Sequence, residues 1–181
     1  MFPPPLAYTL LATFVVPEGN TVEVQSNGRL RLIRPTAFQA SESSGSIHNY
    51  GSCDFEAEVI SEVPFENAGR LTVSNSVSSF STFLQSSGIT RLEGGRLVAA
   101  ADSSLPLQFR GGSVAGIGIL DGLVELSEEA ALQHDAESDE GTLLDISSDL
   151  QCSQGKYFIQ LHGPTQAGSE FTLVSCEIIV D

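Results

Sequence analysis

The sequence predicts an all-β chain: a right-handed parallel β-solenoid of about five coils with a C-terminal antiparallel cap. Three observations predict it. Short alternating apolar runs recur between Phe65 and Leu126, each opened by glycine. Gly69-Arg70-Leu71, Gly95-Arg96-Leu97 and Gly122-Leu123-Val124 stand 26 and 27 residues apart, which suits one turn of a solenoid. Charged residues make up only 17% of the 181, below the roughly 25% usual in globular chains. Ser, Thr and Gly fill the difference, as many short strands and turns require. One turn of roughly 18 to 27 residues cannot bury its own apolar face, so turns must stack and share an interior. A β-sandwich or jelly roll is the alternative for the same strands.

Four segments are expected: an extended arm and first strand over 1–20, the solenoid over 21–126, an acidic loop over 127–141, and the β cap over 142–181. The N-terminal apolar run, Leu6 to Val16, follows three prolines and has no basic flank or small-residue cleavage site. It is too short to span a bilayer, so it is read as structure. Pro17 to Asn20 forms a turn. Thr21 to Val24 and Arg29 to Ile33 alternate at period two, with Val22, Val24, Leu30 and Leu32 facing inward.

Residues 35–46 are rich in Pro, Ser and Ala and read as a loop. Cys53 to Ile60 resumes strand character. Asn49-Tyr50-Gly51 and Asn67-Ala68-Gly69 are similar turns before a strand, and Gly28, Gly51, Gly69, Gly95 and Gly122 mark five successive units. Leu71, Leu97 and Leu123 are then expected in one column. Arg29, Arg70 and Arg96 follow their glycines alike and are expected in one outer basic stripe, neutralised by Glu66 and Glu93. The small residues from Gly111 to Gly122 suit tight corners.

Ser127 to Leu132 suits a short helical turn, and Asp135 to Glu140 a solvated acidic loop. Leu143 to Ile146 and Leu150 to Cys152 are short strands. Lys156 to Leu161 and Phe171 to Val180 are longer ones, joined by a Gly-Pro loop that suits a hairpin.

Net charge is −15, from eight basic and 23 acidic residues. A nucleic-acid partner needs a basic face to release counterions, and anionic membranes ask the same, so both are excluded as partners. The charges are segregated. All seven arginines precede position 111, whereas 111–155 holds ten acids and no Lys or Arg. The two halves either meet head to tail between copies or are each solvated.

Candidate chemistry is sparse, so the chain is expected to be no enzyme and to need no cofactor. Asp135, Glu137, Asp139 and Glu140 are weak Ca²⁺ candidates without the spacing of a known calcium loop. His48, His134 and His162 are scattered, and Cys-x-x-Cys is absent, which argues against zinc. Gly-x-Ser-x-Gly is absent too. Cys152 and Cys176 are a candidate disulfide, leaving Cys53; buried free thiols are the plainer reading. Asp54, Glu56 and Glu58 alternate on one strand, so all three carboxylates are expected to point outward together. That is the basis of the alternative function, a carbohydrate-binding or polysaccharide-degrading β-helix.

From Phe65 to Leu126 the chain resembles the β-solenoid repeats of bacterial adhesin and autotransporter-type surface proteins. The resemblance rests on Asn-x-Gly-x-Leu-x-Val, Gly-Gly-x-Leu and the run GGSVAGIGILDGLV. It implies an extracellular, cell-surface or virion structural module that self-associates or binds other surface proteins or glycans. No functional residue follows from it, since the matching positions are structural. The arm supplies the expected interface, Leu6, Tyr8, Leu10, Phe14 and Val16, as a strand donated to a neighbouring copy.

Overall fold

The structure is a computed structural model that describes residues 12–40, 45–100, 105–132, 143–147, 150–155 and 179–180. These residues form strands and turns and contain no helix. Strand β1 (Ala12–Val16) leads into a first coil of β2 (Thr21–Val24), β3 (Arg29–Leu32) and β4 (Thr36–Ala40). The second coil is β5 (Ser46–Asn49), β6 (Ser52–Phe55) and β7 (Val59–Ser61). The third is β8 (Phe65–Asn67), β9 (Arg70–Ser74) and β10 (Val77–Phe80). In the fourth, β11 (Phe83–Gln85) precedes the long β12 (Ile89–Ala99), which serves two segments at once. The fifth repeats this with β13 (Leu107–Phe109) and β14 (Ser113–Asp121). The stack continues through β15 (Val124–Glu128), β16 (Ala131–Leu132), β17 (Leu143–Ile146), β18 (Leu150–Gly155) and β19 (Ile179–Val180).

Every strand pairing among the described residues is parallel. Each coil therefore contributes three faces. The first holds β2, β5, β8, β11, β13, β15, β18 and β19; the second begins with β3, β6 and β9; the third begins with β1, β4, β7 and β10. The solenoid expectation is met.

Coil length is not constant. Along the first face, Val22, Ile47, Phe65, Phe83, Leu107, Val124 and Leu150 stand in register, with steps of 25, 18, 18, 24, 17 and 26 residues. A bare coil takes 17 or 18 residues, and the longer steps contain 41–44, 101–104 and 133–142 as extra length. A fixed period of 26 or 27 therefore follows no single column. Leu71 sits on the second face between Cys53 and Thr90. Leu97 sits on the third, between Ser78 and Leu120. Leu123 precedes β15 and is only partly buried. The expected leucine column is thus three separate positions.

The interior is built from other columns. Leu30, Cys53, Leu71, Thr90 and Val114 line the second face, and Thr36, Val59, Ser78, Leu97 and Leu120 the third. Phe55, Phe65, Phe80, Phe83 and Phe109 are almost completely buried. Phe65 and Phe83 stack one coil apart with centroids 6.0 Å apart. Such ring pairs add about 1 kcal/mol each beyond the area they bury.

The corner between the first and second faces is a glycine ladder. Its rungs are Gly28, Gly51, Gly69, Gly88 and Gly112. Ser52, Arg70, Ile89 and Ser113 each donate a backbone N–H to the glycine carbonyl one coil away, at 2.8–3.0 Å. A Cβ on Gly69 would lie 2.3 Å from the Gly51 carbonyl oxygen, and one on Gly88 2.0 Å from that of Gly69. Three of the five expected marker glycines belong here. Gly95 lies instead within β12, beneath Gly118, and Gly122 packs over Ala99.

Four further expectations are corrected. Within 35–46, Thr36–Ala40 is strand β4, with Thr36, Ala37 and Phe38 buried. The glycine-rich Gly111 to Gly122 stretch is mostly strand β14, because small residues let it lie close over β12. Where 142–181 is described, β17, β18 and β19 pair in parallel with their neighbours, so the solenoid continues there instead of an antiparallel cap. The two expected long strands, apart from Ile179–Val180, lie outside the described residues. Where a helical turn was expected over Ser127 to Leu132, the chain finishes β15, makes one turn in which Ser127 accepts from the Ala130 N–H, and enters β16.

Candidate interaction surfaces

On the first face one outward side chain per strand forms a column that is polar except at Leu84: Glu23, His48, Glu66, Leu84, Gln108 and Glu125. His48 Nε2 lies 3.9 Å from Glu66 Oε2. Its Nδ1 is 3.3 Å from the Tyr50 hydroxyl. The Ser86 hydroxyl donates to Glu66 Oε1 at 2.8 Å. Tyr50 leaves 45% of its surface exposed beside them. The group offers an aromatic ring, an imidazole and a carboxylate to a polar ligand.

On the second face, arginines of the first coil reach carboxylates of the second. Arg29 Nε donates to Asp54 Oδ2 at 2.6 Å. Arg31 grips Glu56 with two bonds, at 2.6 and 2.9 Å. The hydrogen bond from Arg31 holds the Glu56 carboxyl below its ordinary value. The three alternating carboxylates are therefore not one strand face. Asp54 lies in β6, Glu56 just beyond its end, and Glu58 before β7. Two of them are held by arginine. The expected basic stripe is also broken. Arg29 and Arg70 share a column with Ser52 between them, but Arg96 lies on the third face against Asp121. Of the acids expected beside the arginines, Glu93 lies 3.2 Å from Arg91 Nε, while Glu66 faces His48.

The outer side of the third face carries Ala37, Ile60, Ser79, Val98 and Asp121 in one column, with Val77, Arg96, Ile119 and Asp145 in the next. Asp121 accepts from the Ser147 hydroxyl and from Arg96. The Ser147 bond, then Arg96, hold its carboxyl below the usual carboxylate range.

The N-terminal end of the stack differs from its flanks. Among the described residues, β1, β2 and β3 are each hydrogen-bonded to a strand on one side only. Phe14 is 52% exposed, Val15 58%, Val22 38% and Ile33 62%. Val22 is in register with inward Ile47, but no described strand pairs with β2 on its other side, so it stays open. Sequence alternation alone placed it inside. Of the expected interface residues, Val16 is only 2% exposed and belongs to this chain's own core. Phe14 stacks on Phe38 at 5.5 Å. Strand β1 pairs with β4 of the same chain. Leu6, Tyr8 and Leu10 lie outside the described residues.

Cys53 is a buried free thiol, which burial pushes up to about 12. Cys176 and the Cys152 side chain lie outside the described residues, as do Asp135, Glu137, Asp139, Glu140, His134 and His162. Among the described residues, no three His, Cys, Asp or Glu side chains gather to hold a metal, and no helix is long and apolar enough to cross a membrane. No protein-family model, curated protein or solved structure matches this chain.

Proposed function

We propose that this chain is a non-enzymatic structural β-solenoid module of an extracellular, cell-surface or virion setting, of the adhesin or appendage kind, that works by self-association. The supporting observation is the N-terminal end. Three edge strands and the exposed Phe14, Val15, Val22 and Ile33 lie together there. Open strand edges recruit other strands unless they are covered or blocked. Sedimentation velocity over a wide concentration range tests it. A mass that grows with concentration is expected. A monomer at every concentration and ionic strength overturns it.

A second reading, carbohydrate binding, draws on the Tyr50, His48 and Glu66 group on the first face. A ring beside hydrogen-bonding groups suits a sugar's apolar face and its hydroxyls. Glycan-array binding lost in Tyr50→Ala supports this reading; an empty array removes it.

A further inference from the structure

We propose that copies of this chain join head to tail, the N-terminal end of one seated on the C-terminal end of the next. The inference rests on the self-association reading and specifies its geometry. It comes from three observations that agree on polarity.

The first is charge. Residues 1–40 carry three arginines and two glutamates, a small positive balance in a chain of net −15. The Arg29 and Arg31 side chains remain 67% and 56% exposed despite their partners on the next coil. Arg34 is exposed and makes no ion pair among the described residues. Further along the sequence the balance is the opposite, since 111–155 has ten acids and no basic residue. Glu129 and Asp145 are exposed there. Head-to-head contact sets arginine against arginine, and tail-to-tail contact sets acid against acid. Only head-to-tail contact joins opposite signs.

The second is strand direction. Among the described residues, β1, β2 and β3 are open on one side at the first end, and β16, β17 and β19 at the last. All described strands within the stack pair in parallel. Head-to-tail contact continues that parallel pairing across the junction, face on face. Head-to-head contact reverses it.

The third is apolar area. Phe14, Val15 and Val22 are exposed on the edge strands themselves, where a further coil would cover them.

A head-to-tail contact uses two different patches, so it does not close on itself and grows into a fibre. The axial repeat is then a whole number of strand spacings of about 4.8 Å. Salt weakens the junction, because its charges are solvent-exposed.

The test uses the full chain with two variants, Arg34→Glu and the double change Glu129→Lys with Asp145→Lys. Circular dichroism and thermal melts establish that both fold as the parent does. Each alone is expected to associate about tenfold more weakly, from like-charge contact at the junction. Mixed in equal amounts, they restore long assemblies by sedimentation and negative-stain microscopy, since reversed ends then meet. Parent assemblies that stop at a closed dimer, or a mixture without rescue, overturn the head-to-tail geometry while self-association stands. A parent chain that stays monomeric at low salt overturns both.

Discussion

Asn49 donates from Nδ2 to Oδ1 of Asn67, one coil along and 18 residues later, at 2.8 Å, with both side chains fully buried. The ladder continues. Asn67 Nδ2 donates to Gln85 Oε1 at 3.3 Å, and Gln85 Nε2 donates to the Gly111 carbonyl at 2.9 Å. Asn49 Nδ2 also donates to the Arg70 carbonyl, and its Oδ1 accepts the Gly51 N–H. These amides lie beside the glycine corner and satisfy backbone groups that the turn leaves over. A buried polar group costs little when paired and much when orphaned.

Asn67→Ala is therefore expected to destabilise the chain by about 1–3 kcal/mol, because the buried Asn49 and Gln85 amides each lose a partner. Asn20→Ala is the comparison, since its amide is exposed and bonds only the nearby Glu18 carbonyl. That change should stay within about 0.5 kcal/mol. Urea unfolding of the two variants checks the difference.

Gly88→Ala meets two obstacles: φ is +74°, and the new Cβ falls 2.0 Å from the Gly69 carbonyl oxygen. Gly19→Ala meets one, since φ is +69° but nothing lies within 4 Å. The second change should cost about 1 kcal/mol, as left-handed backbone does for an L residue. The first should cost more than about 3 kcal/mol, because the carbonyl it strikes is held in the ladder. Thermal melts in parallel give the ranking, and equal losses would contradict the ladder.

Phe83→Ala removes a ring that touches Phe65, Phe80 and Phe109. A loss of about 3–5 kcal/mol is expected from burial and the cavity left behind. Denaturant midpoints measure it.

Cys53 should resist alkylation in the folded chain, since the thiol is buried and its ionisation is pushed up to about 12. The thiolate is the reactive form. Iodoacetamide at neutral pH, followed by peptide mass analysis, should label Cys53 only when denaturant is added. Labelling of the native chain at the rate of a free thiol would contradict its placement.

Acid should weaken the fold through Glu56 and Asp121. Both carboxyls titrate below their ordinary values of 4.5 and 3.8, held first by Arg31 and by Ser147 respectively. The unfolded chain then binds more protons in that range, so stability is fully present above the ordinary values. It falls as pH drops through them towards the lower folded values. Melting temperatures from pH 6 downward should decline, and Glu56→Gln should decline less steeply.

Much of this was legible. Alternation at period two located most strands, and the paired Asn-x-Gly motifs at 49–51 and 67–69 marked one true coil step. Their meaning was not legible. Read locally, Asn before Gly signals a turn; the amide ladder needs the next coil as partner. Gly88 and Gly112 carry no such signal, because Gln85-Ser86-Ser87-Gly88 has one residue more than Asn-x-Gly and Phe109 stands where Gln85 does one coil earlier. Strand β4 was hidden for a similar reason. Thr36, Ala37 and Phe38 follow a proline and carry no alternation, yet the neighbouring Val59, Ile60 and Ser61 hold them in a sheet.

By itself the sequence determined that this chain is β-structure, that its strands stack in coils, and that all its arginines precede position 111. Those properties are local or additive: apolar alternation, glycine at corners, and a sum of charges. Only the tertiary structure decided which residues share a column. Leu71 and Leu97 fall on different faces, and Arg29 meets Asp54, not Arg70 or Arg96, on the next coil. The reason is coil length. Residues added between strands leave each strand intact but move every later position along the sequence, and only the hydrogen bonds between coils fix the register.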